Sequence, residues 1–381
     1  LAIAQFSSAY YELLLYHEDY NGLPATNKTW FNSPTGRFPE VEHNLLTGVN
    51  IAESVYVRGS SVIIRFRFFN PGDIPAVGEF RYENPQYDPA YGQAIDLTGS
   101  GLIQNIVVQP FGSTDVTVTL NGLPNTVSHG YLRGFVSVAG DGPPYGEGGN
   151  GNRQYLYLTD STPKGVMSVP WIEVLAPACE WSYGLTGPTS CSYANTFGIF
   201  YWQKFAYPDD SDNYWVDDTD DCFLLRDFLS TSSWVDGNCV DVAAYLQLTN
   251  LSLGVQCHIQ FHQAAVVEGA NGFVTNPICK IGSDPTVPGN YRMVDWGFHS
   301  TVLSSGLVYD ACLALPVDLS GNGYQNPPAS WQLAPYWQTP FTGGFRGLVR
   351  RYRATMGDVD PLKPPQAVAR MTLGYSLAGV K

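Results

Sequence analysis

Three residues of this 381-residue chain have the types and settings for nucleophilic chemistry: Cys239, His299 and Asp310. Cys239 follows Asp236-Gly237-Asn238, a turn signal in which Asp or Asn also caps a helix start. After it Val240, Ala243, Ala244, Leu248 and Leu251 recur at roughly helical spacing, which predicts a helix over 239–250 with one buried face. In the first turn of such a helix, free backbone N–H groups and the helix dipole favour a thiolate over a thiol. Farther on, Val294 to Leu303 and Leu307 to Cys312 read as short strands joined by the tight turn Ser304-Ser305-Gly306. In that hairpin His299 and Asp310 are expected as cross-strand neighbours on one face, within reach of an imidazole–carboxylate hydrogen bond. A cysteine at a helix start, facing a histidine that a carboxylate orients, is the arrangement of thiol-nucleophile catalysis. A cysteine taken alone is more often a small buried hydrophobe, so the His and Asp segments carry the weight.

Gly237-x-Cys239-x-Asp241-x-Ala243 with Leu253-Gly254 closing the helix, then His299, then Val308-Tyr309-Asp310, resembles the transglutaminase-like superfamily of papain-fold cysteine enzymes. The resemblance covers about residues 170–320. It implies an α+β papain-like domain and acyl transfer through a thioester on Cys239, with His299 as base and Asp310 fixing its tautomer. The backbone N–H of Cys239 is a natural half of an oxyanion hole. By the resemblance, a Trp or Gln side chain supplies the other half, and Trp202, Gln203 and Trp234 are the candidates. Asp241 is expected to stabilise the helix start without acting chemically. Family members usually carry a Trp two residues after the His, where this chain has Thr301; the departure bears on the substrate groove more than on the triad. Water (peptidase or amidase) or an amine (cross-linking) could accept the acyl group, and hydrolysis of a peptide or amide bond is the favoured outcome. The contrasting reading is a non-catalytic extracellular structural or adhesion protein with a degenerate domain of this kind.

Composition bounds the rest. The chain is long enough for two domains, each with its own core. Charged residues are 14 %, and lysine occurs only six times. With abundant Gly, Pro, Asn, Ser, Thr and Tyr, this is the profile of a β-rich secreted or cell-surface protein. A net charge of −14 repels nucleic acid, which is excluded as a partner. A protein or peptide substrate is expected, and self-association or surface association is compatible with the composition. No apolar run approaches the length needed to span a bilayer. The start at Leu1 fits a removed signal or a trimmed chain. All seven cysteines (Cys179, Cys191, Cys222, Cys239, Cys257, Cys279, Cys312) lie after residue 178. In an oxidising compartment six would pair and Cys239 would stay free. Cys179 with Cys191 and Cys257 with Cys279 close plausible local loops, leaving Cys222 with Cys312. Seven free thiols in a reducing compartment is the alternative.

Along the chain, residues 1–165 are expected to form an antiparallel, immunoglobulin-like β-sandwich. Val55 to Val57, Ser61 to Phe69, Leu102 to Gln109, Asp115 to Leu120, Tyr131 to Ala139 and Gln154 to Leu158 are its clearest strands. Residues 1–50 read as extended, with a sequon at Asn27-Lys28-Thr29. Asp141 to Arg153 reads as a flexible Gly-rich hairpin loop. The polar segment Thr159 to Gly165 marks the boundary to the transglutaminase-like domain, 166–345, which Pro170 to Leu175 opens as a helix. Phe197 to Phe205 is aromatic and expected around the nucleophile. Asp209 to Asp221 holds seven aspartates in thirteen residues. A calcium site there (Asp209, Asp210, Asp212, Asp217, Asp218) competes with a solvated acidic loop, which the missing EF-hand glycine and glutamate favour. No other cofactor is expected. Cys257, His258 and His262 raise the question of zinc, but on a strand Cys257 points away from the two histidines. Residues 346–381 read as a return strand, Gly347 to Arg353, with a basic cluster of Arg346, Arg350, Arg351 and Arg353, and a tail.

Overall fold

The computed structural model describes residues 2–8, 13–14, 42–44, 49–69, 73–89, 94–100, 103–140, 142–145, 152–165, 172–202, 204–208, 215–217, 222–231, 234–264, 273–296, 298–316, 326–337, 369–371 and 379–380. The chain divides into two compact units. The first comprises Leu1–Pro163, Met167–Thr186 and Ser252–Gly254; the second comprises Lys164–Val166, Gly187–Leu251 and Val255–Lys381.

The first unit is two packed β-sheets. One runs in the order Ala2–Ser8, Val62–Phe69, Ser113–Asn121, Thr98–Ser100. The other is built on Val49–Val57, Asn152–Thr159, Ser128–Gly140 and Ala76–Pro89. Alternation explains the core: Val116, Val118 and Leu120 of the first sheet meet Phe80, Tyr82, Leu132, Leu156 and Leu158 of the second. One pairing departs from the expected antiparallel sandwich. Asn152–Thr159 runs parallel to Val49–Val57, with Leu156 opposite Ser54 and Leu158 opposite Tyr56. Strands so far apart in sequence are not bound by a hairpin to antiparallel pairing. Helix α1, Ile172–Trp181, was expected to open the second domain; it packs on Ser128–Gly140 and Asn152–Thr159 and groups with the first unit.

The second unit mixes helices with an antiparallel five-stranded sheet, in the order Ala329–Trp331, Leu307–Tyr309, Phe298–Ser304, Cys257–Ala264, Ala369–Met371. Helix α2, Pro188–Tyr201, lies against the first three of these. Helix α3 is Leu225–Ser230, α4 is Cys239–Ser252 and α5 is Leu333–Trp337. At the C-terminal end, Ala369–Met371 adds an edge to the sheet, whereas Gly347 to Arg353 and the arginine cluster lie outside the described residues. Much of the Asp141 to Arg153 loop and all of the acidic segment except 215–217 also lie outside them. Asp217 sits on the short strand Val216–Asp217.

Helix α4 is more enclosed than its sequence pattern predicts. Every residue from Cys239 to Ser252 is buried, not one face alone. Tyr245 enters an aromatic cluster in which Phe228 of α3 is central, 5.0 Å from Tyr245 and 5.1 Å from Phe205 between ring centroids. On other sides Asn250 accepts a hydrogen bond from Asn195 of α2 (3.0 Å), and the Gln247 amide donates to the Cys257 carbonyl (3.4 Å). These partners let polar residues occupy an enclosed helix. The helix ends where Leu253-Gly254 predicts: Gly254 has φ +81°, and the Val255 N–H bonds the Asn250 carbonyl across that turn.

The three expected disulfides are absent, and all seven cysteines are free thiols. Two of them turn to backbone carbonyls rather than toward each other. Cys179 is on α1 in the first unit and Cys191 on α2 in the second. Cys257 Sγ turns to the Gln247 carbonyl (3.8 Å), and Cys279 Sγ to the carbonyls of Lys280 and Ser283 (3.8 and 3.7 Å). Sequence separation suggested loops of suitable length, but bridging needs converging Cβ vectors, which spacing does not encode.

Candidate active site

Cys239 is the first residue of α4, and the local sequence holds it there twice over. The Asn238 side chain caps the helix, accepting from the N–H groups of Val240 (2.8 Å) and Asp241 (3.3 Å). Asp241 answers from the first turn, its Oδ2 accepting the Asn238 N–H (3.0 Å), which completes a capping box. Its Oδ1 accepts from the N–H groups of Trp215 (2.8 Å) and Val216 (3.0 Å), tying a neighbouring segment to the helix start. The expectation that Asp241 builds rather than reacts fits this wiring.

The turn before the cap tolerates no side chain. A Cβ on Gly237 would lie 2.7 Å from Cδ1 of Phe205, which is fully buried. Gly237→Ala is therefore expected to displace the Cys239 turn and cost about 1–3 kcal/mol, the usual penalty of overpacking. Urea melts of the variant, set against Gly289→Ala, where nothing lies within 4 Å of an added Cβ, check this.

His299 and Asp310 come from the expected hairpin. Ser305 (φ +51°) and Gly306 (φ +75°) form its turn, both left-handed as a tight right-twisting hairpin requires. Leu303 pairs with Val308 and Val302 with Tyr309, so Asp310 follows the last paired residue and reaches His299 diagonally, not from directly opposite. His299 Nε2 bonds Asp310 Oδ2 at 2.8 Å, and both side chains are buried. Cys239 lies close enough to His299 to act on the ring. With Nε2 committed to the carboxylate, Nδ1 is the ring nitrogen that can serve the thiol. Burial alone would depress the imidazole, but Asp310, by charge and by hydrogen bond, and Cys239 raise it to about 9.

The structure adds four residues to the site that sequence reading did not place there. Trp296 stacks flat on the His299 ring, 4.3 Å between centroids at 4°. Tyr207 stacks on Trp296 (5.9 Å); burial, then the nearby Cys239 and Cys312 thiols, push it far above an ordinary phenol, so it remains a donor. Tyr336 of α5 donates to Asp310 Oδ2 (2.7 Å). His262 is the direct cross-strand neighbour of His299. Burial, then the neighbouring His299, lowers His262 to about 3, so it is neutral, and its Nε2 bonds the Thr301 hydroxyl at 2.7 Å. Thr301 thus engages a second histidine, while the aromatic cover of His299 comes from three residues upstream. The sequence pattern places the aromatics of Phe197 to Phe205 near the nucleophile and marks neither Trp296 nor Tyr207. Tyr336 had no local signal.

Of the oxyanion candidates, Trp202 stacks on Tyr245 (5.5 Å, 17°), Trp234 is 48 % exposed, and Gln203 lies outside the described residues. Among the described residues no group of three or more His, Cys, Asp or Glu side chains could hold a metal ion. Asp209, Asp210, Asp212 and Asp218 lie outside them. Also among the described residues, no helix is long and apolar enough to cross a membrane.

No protein-family model matches the chain, and no curated protein matches it in sequence. Among solved structures, red sea bream transglutaminase is similar over 74 % of this chain and 51 % of its own, at 12 % identity and a TM-score of 0.36. The chain thus spans about half the length of that enzyme. An immunoglobulin-like protein from Nocardia farcinica matches 27 % of the chain at 14 % identity, with 91 % of its own length covered and a TM-score of 0.16. A family 123 glycoside hydrolase from Clostridium perfringens matches 29 % of the chain and 22 % of its own, at 9 % identity and a TM-score of 0.21. Scores this low carry no argument about activity.

Proposed function

We propose that the second unit is a transglutaminase-like cysteine enzyme that transfers acyl groups from peptide or amide carbonyls, with water as the final acceptor. The observation that carries the reading is the buried His299–Asp310 hydrogen bond, with Cys239, at a capped helix start, close enough to the ring to raise it. In this scheme His299 holds the proton given up by the thiol while Cys239 sulfur bonds the carbonyl carbon. The oxyanion collapses, the C–N bond breaks, and His299 returns the proton to the leaving amine. Water, deprotonated by the same imidazole, then releases the acid from the thioester. Asp310 holds the ring and balances its charge. The Asn238 cap binds the next two N–H groups of α4 and not that of Cys239, which suits the latter to the oxyanion. The low charged fraction supports a secreted or cell-surface setting for this activity.

One observation favours the non-catalytic alternative: Cys239 is only 3 % exposed. Labelling separates the two. With iodoacetamide at neutral pH, mass spectrometry is expected to find Cys239 modified ahead of the half-buried Cys222, and p-nitrophenyl acetate should leave an acetyl group on Cys239. A native protein whose Cys239 takes neither label is the structural protein of the alternative.

A further inference from the structure

Asp310 is gripped from three directions. Its Oδ1 accepts the Cys312 N–H at 2.9 Å, and its Oδ2 is shared between His299 Nε2 at 2.8 Å and the Tyr336 hydroxyl at 2.7 Å. Tyr336 is fully buried on a short helix beyond the catalytic hairpin, and its ring packs on His262 at 5.4 Å. A phenol is not needed to fill this space, and a buried hydroxyl costs free energy unless it is bonded. The oxygen it bonds is the one His299 uses.

Resting on the reading of Cys239 and His299 as nucleophile and base, we infer that Tyr336 is a positioning residue that acts through Asp310. It tethers the carboxylate and, by drawing charge toward its own proton, moderates the hold of Asp310 on the imidazolium. The hydrogen bond from Tyr336 strengthens when His299 is neutral and the carboxylate bears its full charge, so it favours the neutral ring. The other titratable groups around the pair are Cys239 and Asp241 on α4, His262 on the neighbouring strand, and Tyr207, Lys280 and Cys312. Burial, then the Asp310 charge, keeps Tyr336 itself a phenol, and His262 is neutral, so neither ionises in the range where His299 does.

The test reads His299 directly. The full chain, labelled with ¹³Cε1-histidine, is titrated by NMR, with the His299 signal assigned from His299→Gln. In Tyr336→Phe the apparent pKa of His299 is expected to rise by about one unit, the size a charge-assisted hydrogen bond supplies. With 3,5-difluorotyrosine at position 336, a stronger donor of nearly the same shape, it is expected to fall. The second variant keeps the test decisive should Tyr336→Phe fail to fold. An unchanged His299 titration, or shifts of the opposite sign, overturns the inference. The proposed function fails separately, through unlabelled Cys239 in the wild type.

Discussion

Asp310→Asn is expected to cut p-nitrophenyl ester turnover about 10⁴-fold with the fold intact, the loss typical when a triad carboxylate is neutralised. The amide is isosteric and can still accept from Cys312, but it supplies no charge to an imidazolium in a buried site. The variant also reverses a pH dependence of stability. In the wild type His299 rises from 6.5 to about 9 on folding, against the pull of burial, because of Asp310 and Cys239. Its contribution is therefore fully present below about 6.5 and is lost as pH climbs through 9. Without the carboxylate, burial prevails and pushes the ring below its ordinary value, so the loss moves to the acid side. Urea melts between pH 5 and 10 would show an alkaline decline in the wild type that the variant lacks. Equal turnover in the two proteins would remove Asp310 from the mechanism.

Asp241→Ala carries the largest expected effect on stability. One carboxylate accepts three backbone N–H groups, from Trp215, Val216 and Asn238, and truncation strands all of them. At about 1–3 kcal/mol for each unsatisfied donor, the loss is at least about 3 kcal/mol. A domain stable by about 5–15 kcal/mol would then be near its limit. Asp241→Asn keeps one acceptor oxygen and should lose less. The check is the urea midpoint of the two variants by circular dichroism, and an unshifted midpoint for Asp241→Ala would show that water replaces the carboxylate. Because the same carboxylate holds the Asn238 cap, acetylation of Cys239 should fall with stability.

The sequence by itself determined the parts of this protein that depend on near neighbours. Asp236-Gly237-Asn238 wrote a turn and cap, Leu253-Gly254 a helix end, and Ser305-Gly306 a hairpin, because capping and left-handed backbone are decided within a few residues. Alternating apolar residues fixed the inward face of the first unit. The order of Cys, His and Asp pointed to a site that the helix start and hairpin then brought together. Tertiary structure decided what lies beyond that range. Trp296, Tyr207, Tyr336 and His262 join the site through packing of separate elements, and no local pattern marks a residue that will meet another far along the chain. The parallel pairing of Val49–Val57 with Asn152–Thr159 and the grouping of α1 with the first unit are of the same kind. The cysteines make the reason plain: their number and spacing allowed three bridges, but a bond forms between side chains that converge in space. Here the seven thiols stay free, and Cys257 and Cys279, expected as one pair, each face a backbone carbonyl instead.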